Sequence, residues 1–145
     1  MIENSEISFH IEDIPFELKE PELLISWLKE IASESSFSIG EMNYVFCSDE
    51  YVLALNKEHL DHDYYTDILT FPYQANPIMS DIYISIDRVR DNAHSLKQDF
   101  ERELHRVMAH GLLHLLGYDD HGEEAIVAMR KAEEGALKKL DDKKK

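Results

Sequence analysis

Residues 107–121 read VMAHGLLHLLGYDDH, and the fold and chemistry that we expect follow from this stretch. His110 and His114 stand four positions apart, which on an α-helix puts them about 40° apart around the axis and one turn from each other. Apolar residues surround them on nearly every side, so the pattern predicts a central helix buried in the core. Gly117 stands where this helix would end, because glycine readily takes the left-handed conformation that closes a helix.

The histidine pair predicts a metal site on that helix. Buried imidazoles need polar partners, and two imidazoles on successive turns can hold one divalent cation. Beyond the turn at Gly117 the chain can fold back, so Asp120 or His121 can supply a third ligand. Three such ligands with water in an open fourth position are typical of catalytic zinc. The competing interpretation is that His110 and His114 are ordinary helix residues.

The motif differs from the zinc-peptidase pattern His-Glu-x-x-His, in which the glutamate is the general base. Gly111 occupies the glutamate position and has no side chain to act as a base, so the sequence disfavours a peptidase. Asp67 and Asp120 are the candidate proton acceptors. Glu103, about two turns before His110, is either a residue that orients a ligand or a solvated acid.

Composition sets limits on the class of protein. The chain has 145 residues, a formal net charge of −15 and one cysteine, Cys47. One domain spanning residues 1–145 is expected from this length, and the acidic charge disfavours generic binding of polyanions. An internal disulfide is excluded, which favours a reducing compartment. Neither an apolar signal core at the N-terminus nor a membrane-length apolar run is present, so we expect a cytoplasmic protein with no membrane partner.

Strand patterns dominate the first part of the chain and helix patterns the last. The predicted strands cover residues 7–11, 44–47, 67–73 and 81–86, and Pro72 lies at the end of the third. The predicted helices begin near Pro21 and otherwise cover residues 49–58, 87–96, 98–116 and 122–140. We therefore predict a single α+β domain with a four-stranded mixed sheet, helices packed on it and the metal site on a central buried helix.

These residues resemble a known family. The pattern H-G-x-L-H-L-x-G-Y-D at residues 110–119 resembles the signature of the YbeY family, which are bacterial metal-dependent endoribonucleases of rRNA maturation. Further blocks lie in that family's order and spacing: LN at 55–56, YTDILTFP at 65–72, DIYIS at 81–85 and FEREL at 100–104. The resemblance implies a small α+β domain that holds one zinc ion with three histidines. It also implies hydrolysis of single-stranded RNA, with rRNA and the small ribosomal subunit rather than DNA as partners, in 16S rRNA 3′-end maturation and ribosome quality control.

The resemblance carries His110 and His114 over as the first two zinc ligands. The usual pattern ends Gly-Tyr-Asp-His, whereas this chain is one residue longer. Either Asp120 takes the ligand position, or the turn bulges and His121 binds. We predict His121, because imidazole competes well for zinc and a loop absorbs one extra residue readily.

Two positions depart from the family pattern. Leu60 stands where the family usually has an arginine, and Ser80 stands where it has glycine. Loss of the arginine removes a bidentate phosphate donor, for which Arg88, Arg102 or Arg106 could substitute unless each is simply paired with a nearby acid. This departure and the net charge favour an alternative function, a ribosome-assembly factor with a mainly structural zinc and little nuclease activity.

Overall fold

Four strands form a mixed sheet in the computed structural model, which describes residues 6–145. In chain order the strands are β1 (Glu6–Ile11), β2 (Ile39–Cys47), β3 (Ile68–Ala75) and β4 (Ile78–Ser85). Their spatial order is β1-β2-β4-β3, with β1 and β4 parallel to β2 and with β3 antiparallel to β4 at one edge. The predicted α+β class with a four-stranded mixed sheet is confirmed.

Residues 6–145 form five helices in addition to this sheet. They are α1 (Pro21–Glu34), α2 (Asp49–Leu60), α3 (Ile86–Ser95), α4 (Phe100–Leu115) and α5 (Glu123–Lys143). Serines begin two of the helices, since Ser48 accepts a hydrogen bond from the backbone N–H of Tyr51 and Ser85 accepts one from that of Arg88, each at 3.1 Å. Such caps satisfy backbone donors that have no partner within the helix.

The strands are longer than the sequence pattern indicates. β2 begins at Ile39, five residues before its predicted start at Tyr44, and β3 runs past Pro72 to Ala75. Proline lacks a backbone N–H and is tolerated mainly on edge strands and at bulges. Both conditions hold here, because β3 is an edge strand and its pairing with β4 shifts register between Pro72 and Gln74.

Helix α4 crosses the sheet at close range and forms the centre of the core. A Cβ atom built on Gly111 would lie 2.9 Å from Cδ1 of Ile68 and 3.4 Å from Cγ2 of Ile82. The hydroxyl of Tyr44 donates to the carbonyl of Met108 across 2.9 Å, which ties β2 to the same helix. The absence of a side chain at Gly111 thus allows the helix to sit directly on β3 and β4.

Helix α5 is fixed against α1 and α4. Nε1 of the fully buried Trp27 donates to the carbonyl of Ala136 across 2.8 Å, and Lys139 reaches Glu34 at 2.6 Å. Arg102 on α4 pairs with Asp141 on α5 at 3.1 Å, so α5 also lies beside α4.

The structure describes two features that the composition raised, the single cysteine and the hydropathy of the helices. Cys47 is a free, fully buried thiol, and burial raises its pKa to about 12. Among residues 6–145, none of the helices is long and apolar enough to cross a membrane. The N-terminal stretch at residues 1–6, whose lack of an apolar signal core entered the prediction of a cytoplasmic protein, lies outside the described residues except for Glu6.

Candidate metal centre

A cavity of about 220 Å³ lies where α4, β3 and the turn after α4 meet. His110 and His114 both line it, one turn apart on α4, as their spacing predicts. His110 is half-buried, whereas His114 is exposed, so the expectation of two buried imidazoles is wrong for His114. Asp120 contributes a carboxylate from the turn that follows the helix. The remaining walls belong to β3: Ile68, Leu69, Thr70 and Pro72.

The ring of His110 is held from behind. Its Nδ1 atom lies 2.6 Å from Oε2 of Glu133 on α5, and its Nε2 atom lies 3.9 Å from Oδ2 of Asp120 at the cavity. The hydrogen bond with Glu133 is the main cause that raises the pKa of His110, against the opposing effect of burial. Burial also acts to raise the pKa of Glu133, but the hydrogen bond with His110 and the charge of Arg106 outweigh it and lower that pKa.

A buried network of charges continues behind Glu133. Arg106 donates from Nε and Nη2 to the two carboxylate oxygens of Glu103, at 2.9 and 2.6 Å, and from Nη1 to Oε1 of Glu133 at 3.0 Å. Glu103 is fully buried and also accepts from Gln98 at 2.7 Å, so the interpretation of Glu103 as a solvated acid is wrong. Its role is indirect, because it orients the arginine that holds the partner of His110.

Sequence reasoning missed Glu133 as a site residue. It lies 23 positions after His110, on a different helix, so no spacing rule connects the two. Arg106, one turn before His110 on α4, is paired with acids, which is the second of the two interpretations that the sequence offers for it. The one sequence feature that could have indicated Glu133 is its place on the apolar face of α5, beside Met129 and Ala136. A carboxylate buried on such a face requires a partner.

The turn after α4 is ordered by its own acidic residues. Gly117 takes a φ of 109°, the left-handed closure that the sequence predicts. Oδ1 of Asp119 accepts from the backbone N–H groups of Asp120 and His121, at 2.7 and 3.3 Å. Ligand atoms of Asp119, Asp120 and His121 lie within 4.8 Å of one another.

Asp120 and His121 are placed differently with respect to the histidine pair. Asp120 lines the cavity with His110 and His114. The side chain of His121 is 89% exposed, and its Nε2 atom lies 4.0 Å from Oδ1 of Asp120. The structure therefore places His110, His114 and Asp120 around one cavity, and the exposed His121 lies beside the carboxylate of Asp120.

Asp67, one of the two candidate proton acceptors, lies directly before β3. Its Oδ2 atom accepts a hydrogen bond from Asn92 at 3.2 Å. Burial raises the pKa of Asp67, while the charges of Arg106 and His110 act in the opposite direction. The carboxyl group of Asp67 thus interacts electrostatically with His110, and it holds a proton more readily than an exposed aspartate does.

Two of the arginines considered as phosphate donors are paired with acids away from the cavity. Nη2 of Arg88 lies 2.7 Å from Asp49, and Nη1 of Arg102 lies 3.1 Å from Asp141. Leu60 lies at the end of α2 with 41% of its surface exposed. The position of the family's usual arginine is thus an exposed leucine here.

Comparison with known proteins places the chain among the endoribonucleases. The family model described as Endoribonuclease YbeY matches residues 6–141. A relative named Endoribonuclease YbeY from Cytophaga hutchinsonii is 48% identical over 133 residues, which cover 90% of this chain and 93% of the relative. A protein of the same name from Porphyromonas gingivalis is 42% identical over 139 residues, covering 95% and 92%. The chain belongs to the YbeY family, as its motifs indicate.

A solved structure supports the fold independently. The solution structure of TM1509 from Thermotoga maritima is similar to this chain with a TM-score of 0.66 and 27% sequence identity. The similarity covers 93% of this chain and 89% of the other. The arrangement of sheet and helices described above is therefore shared over almost the whole domain.

Proposed function

We propose that the protein, as one domain of residues 1–145, is a zinc-dependent endoribonuclease that hydrolyses single-stranded RNA. Its proposed place is the cytoplasm, in maturation of the 3′ end of 16S rRNA on the small ribosomal subunit and in ribosome quality control. Membership of the YbeY family supports the nuclease activity. One structural observation carries the metal site: Nε2 of His110 faces a cavity shared with His114 and Asp120, while Glu133 holds the other ring nitrogen.

The donor set at this cavity fits zinc. Two imidazoles and one carboxylate are a common set of protein ligands for catalytic zinc. We propose His110, His114 and a third ligand from the Asp120–His121 pair. The position of Asp120 in the cavity supports the aspartate, and the preference of zinc for imidazole supports His121. A bound zinc ion would act as a Lewis acid on a phosphoryl oxygen and lower the pKa of a bound water.

The residues around the cavity suit phosphodiester hydrolysis. This reaction depends more on neutralising charge at the phosphoryl oxygens than on a strong base. Asp67 and Asp120 are the proposed proton acceptors, because Asp120 lines the cavity and Asp67 directly precedes Ile68 and Leu69, which also line it. Peptide hydrolysis is a poor fit, since Gly111 packs on β3 and β4 and a glutamate in its place would point into the core.

Two observations support the alternative function, an assembly factor with a structural zinc. The chain carries a net charge of −15, and Leu60 occupies the family's arginine position. This alternative expects zinc on the purified protein but no cleavage of RNA. A bound zinc ion with one coordination position open to water would support the enzyme. A zinc ion with four protein ligands would support the structural role.

Replacement of His114 by alanine tests the proposed function. Metal-replete wild type should cleave single-stranded RNA in a chelator-sensitive manner and leave an unstructured peptide intact. His114→Ala should lose zinc and cleavage together, whereas His94→Ala, which changes an exposed histidine of α3, should retain both. Unchanged cleavage by His114→Ala would remove this site from the mechanism, and zinc binding without cleavage in wild type would support the assembly factor.

A further inference from the structure

A second, larger cavity adjoins the histidine site. Its volume is about 610 Å³, within the roughly 300–1,000 Å³ range that is typical of small-molecule sites. It shares His110 and Asp120 with the smaller cavity. An RNA strand whose scissile phosphate lies at these two residues would therefore extend into the larger cavity on one side.

Apolar side chains line this space from two helices, α3 and α5. Ile126, Met129 and Arg130 line it from α5, at the three- and four-residue spacing that puts side chains on one helix face. Leu96, at the end of α3, lines the cavity as well and is 60% exposed, while Ile126 is 40% exposed. Exposed apolar side chains beside a charged site provide surface on which a flat, partly apolar group such as a nucleobase can pack.

Two arginines line this cavity, and they differ in whether they can bind a phosphate. The guanidinium of Arg106 already forms ion pairs with Glu103 and Glu133. Arg130 also lines the cavity, is exposed, and forms no ion pair with any residue in the range 6–145. In a chain of net charge −15, such an arginine is a rare group that can bind a phosphate with two parallel hydrogen bonds.

We propose that this larger cavity is the subsite for a nucleotide that flanks the scissile phosphate of single-stranded RNA. Arg130 donates to the phosphate of that nucleotide, and Leu96 and Ile126 contact its base. Arg130 is thus a substrate-binding residue rather than a metal ligand. This inference rests on the proposed ribonuclease function.

Binding of a single-stranded RNA oligonucleotide with 2′-O-methyl groups, whose integrity is checked on a denaturing gel after each titration, tests the subsite on the metal-loaded full chain. Fluorescence anisotropy would be measured across a salt series. Arg130→Ala should weaken binding about tenfold and reduce the slope of log affinity against log salt by roughly 0.7, the amount expected for one lost phosphate contact on a single strand. Arg130→Lys should retain the slope with intermediate affinity, and Ile126→Ser should weaken binding with no change of slope.

Arg102→Ala is the matched control, because Arg102 lies on α4 and pairs with Asp141 away from the cavity. It should bind RNA as wild type does. Wild-type affinity and slope in Arg130→Ala, with cleavage of unmodified RNA intact in wild type, would overturn the subsite alone. Absence of both RNA binding and cleavage in the metal-loaded wild type would overturn the subsite together with the proposed function.

Discussion

Glu133 fixes which nitrogen of His110 is available to a metal. The carboxylate is ionised near neutral pH because its pKa is lowered, so at 2.6 Å it can only accept a hydrogen bond from Nδ1. The proton of a neutral His110 ring therefore resides on Nδ1, and the lone pair of Nε2 faces Asp120 and the cavity. A carboxylate behind a histidine in this way is the arrangement that orients metal-binding imidazoles in proteins.

Replacement of Glu133 by glutamine should weaken zinc binding by about 10–100-fold, the usual effect of changing a group that supports a metal ligand. The amide oxygen can still accept from His110, but the negative charge that makes the ring more basic is lost, as is the ion pair with Arg106. Competition with a chromophoric chelator measures the affinity. Glu134→Gln changes the exposed neighbour and should bind zinc as wild type does. Equal affinities in the two variants would show that Glu133 does not support the site.

The third ligand can be assigned by metal analysis of two single variants. Because Asp120 lines the cavity and His121 is 89% exposed, Asp120→Ala should contain less zinc after purification than His121→Ala. His114→Ala, which removes one of the two helix ligands, provides the reference for a disrupted site. The opposite order, with zinc lost in His121→Ala and kept in Asp120→Ala, would establish the ligand that the sequence predicts and require the turn to rearrange on metal binding.

The sequence predicts those parts of the site whose residues lie close together along the chain. His110 and His114 come together because a single helix turn joins them, and Gly117 ends that helix because its φ is positive. Elements with strong local signals, such as the helix capped by Ser48, were predicted to within two residues. The strands were predicted less well, because pairing partners rather than local pattern decide where a strand such as β2 begins.

The rest of the site depends on contacts between distant segments. Glu133 meets His110 only because α5 packs beside α4, and the burial of Glu103 follows from its bond to Arg106. Neither contact can be recognised from the spacing of residues in the sequence. The choice between Asp120 and His121 likewise depends on the path of a short turn, which residue types alone do not determine.

The close contact of α4 with the sheet predicts different effects on stability for two glycine-to-alanine changes. An added Cβ at Gly111 would lie 2.9 Å from the end of the Ile68 side chain, so Gly111→Ala gains helix propensity but forces Ile68 to move. At Gly135, on α5, an added Cβ meets nothing within 4 Å. Gly135→Ala should therefore raise the free energy of unfolding by roughly 0.5–1 kcal/mol, whereas Gly111→Ala should lower it or leave it unchanged.

Urea unfolding of the two variants and wild type measures this difference. A second effect is expected at the site, because Ile68 lines the cavity with His110, so Gly111→Ala should also reduce RNA cleavage while Gly135→Ala retains it. Equal stabilisation by both alanines would contradict the close approach of α4 to β3.

Stability should fall on acidification because of His105, on the buried side of α4. Its side chain packs edge-on against Trp27, with ring centroids 6.1 Å apart, and burial lowers its pKa from 6.5 to about 4. Between these two pH values the unfolded chain binds a proton at this residue and the folded chain does not. The contribution of His105 is therefore complete above pH 6.5, declines as the pH falls, and stops changing below about pH 4.

His105→Gln removes this titration while keeping a polar side chain of similar size. Relative to wild type, the variant should lose less stability between pH 6.5 and pH 4, by at most about 2–3 kcal/mol for a shift of this size. Urea unfolding at a series of pH values gives the two curves, whose difference isolates His105 from the carboxylates that titrate in the same range. His94→Gln, at an exposed position of α3, is the control for replacing a histidine by glutamine as such. Parallel curves for His105→Gln and wild type would mean that the imidazole takes up its proton in the folded protein as easily as in water.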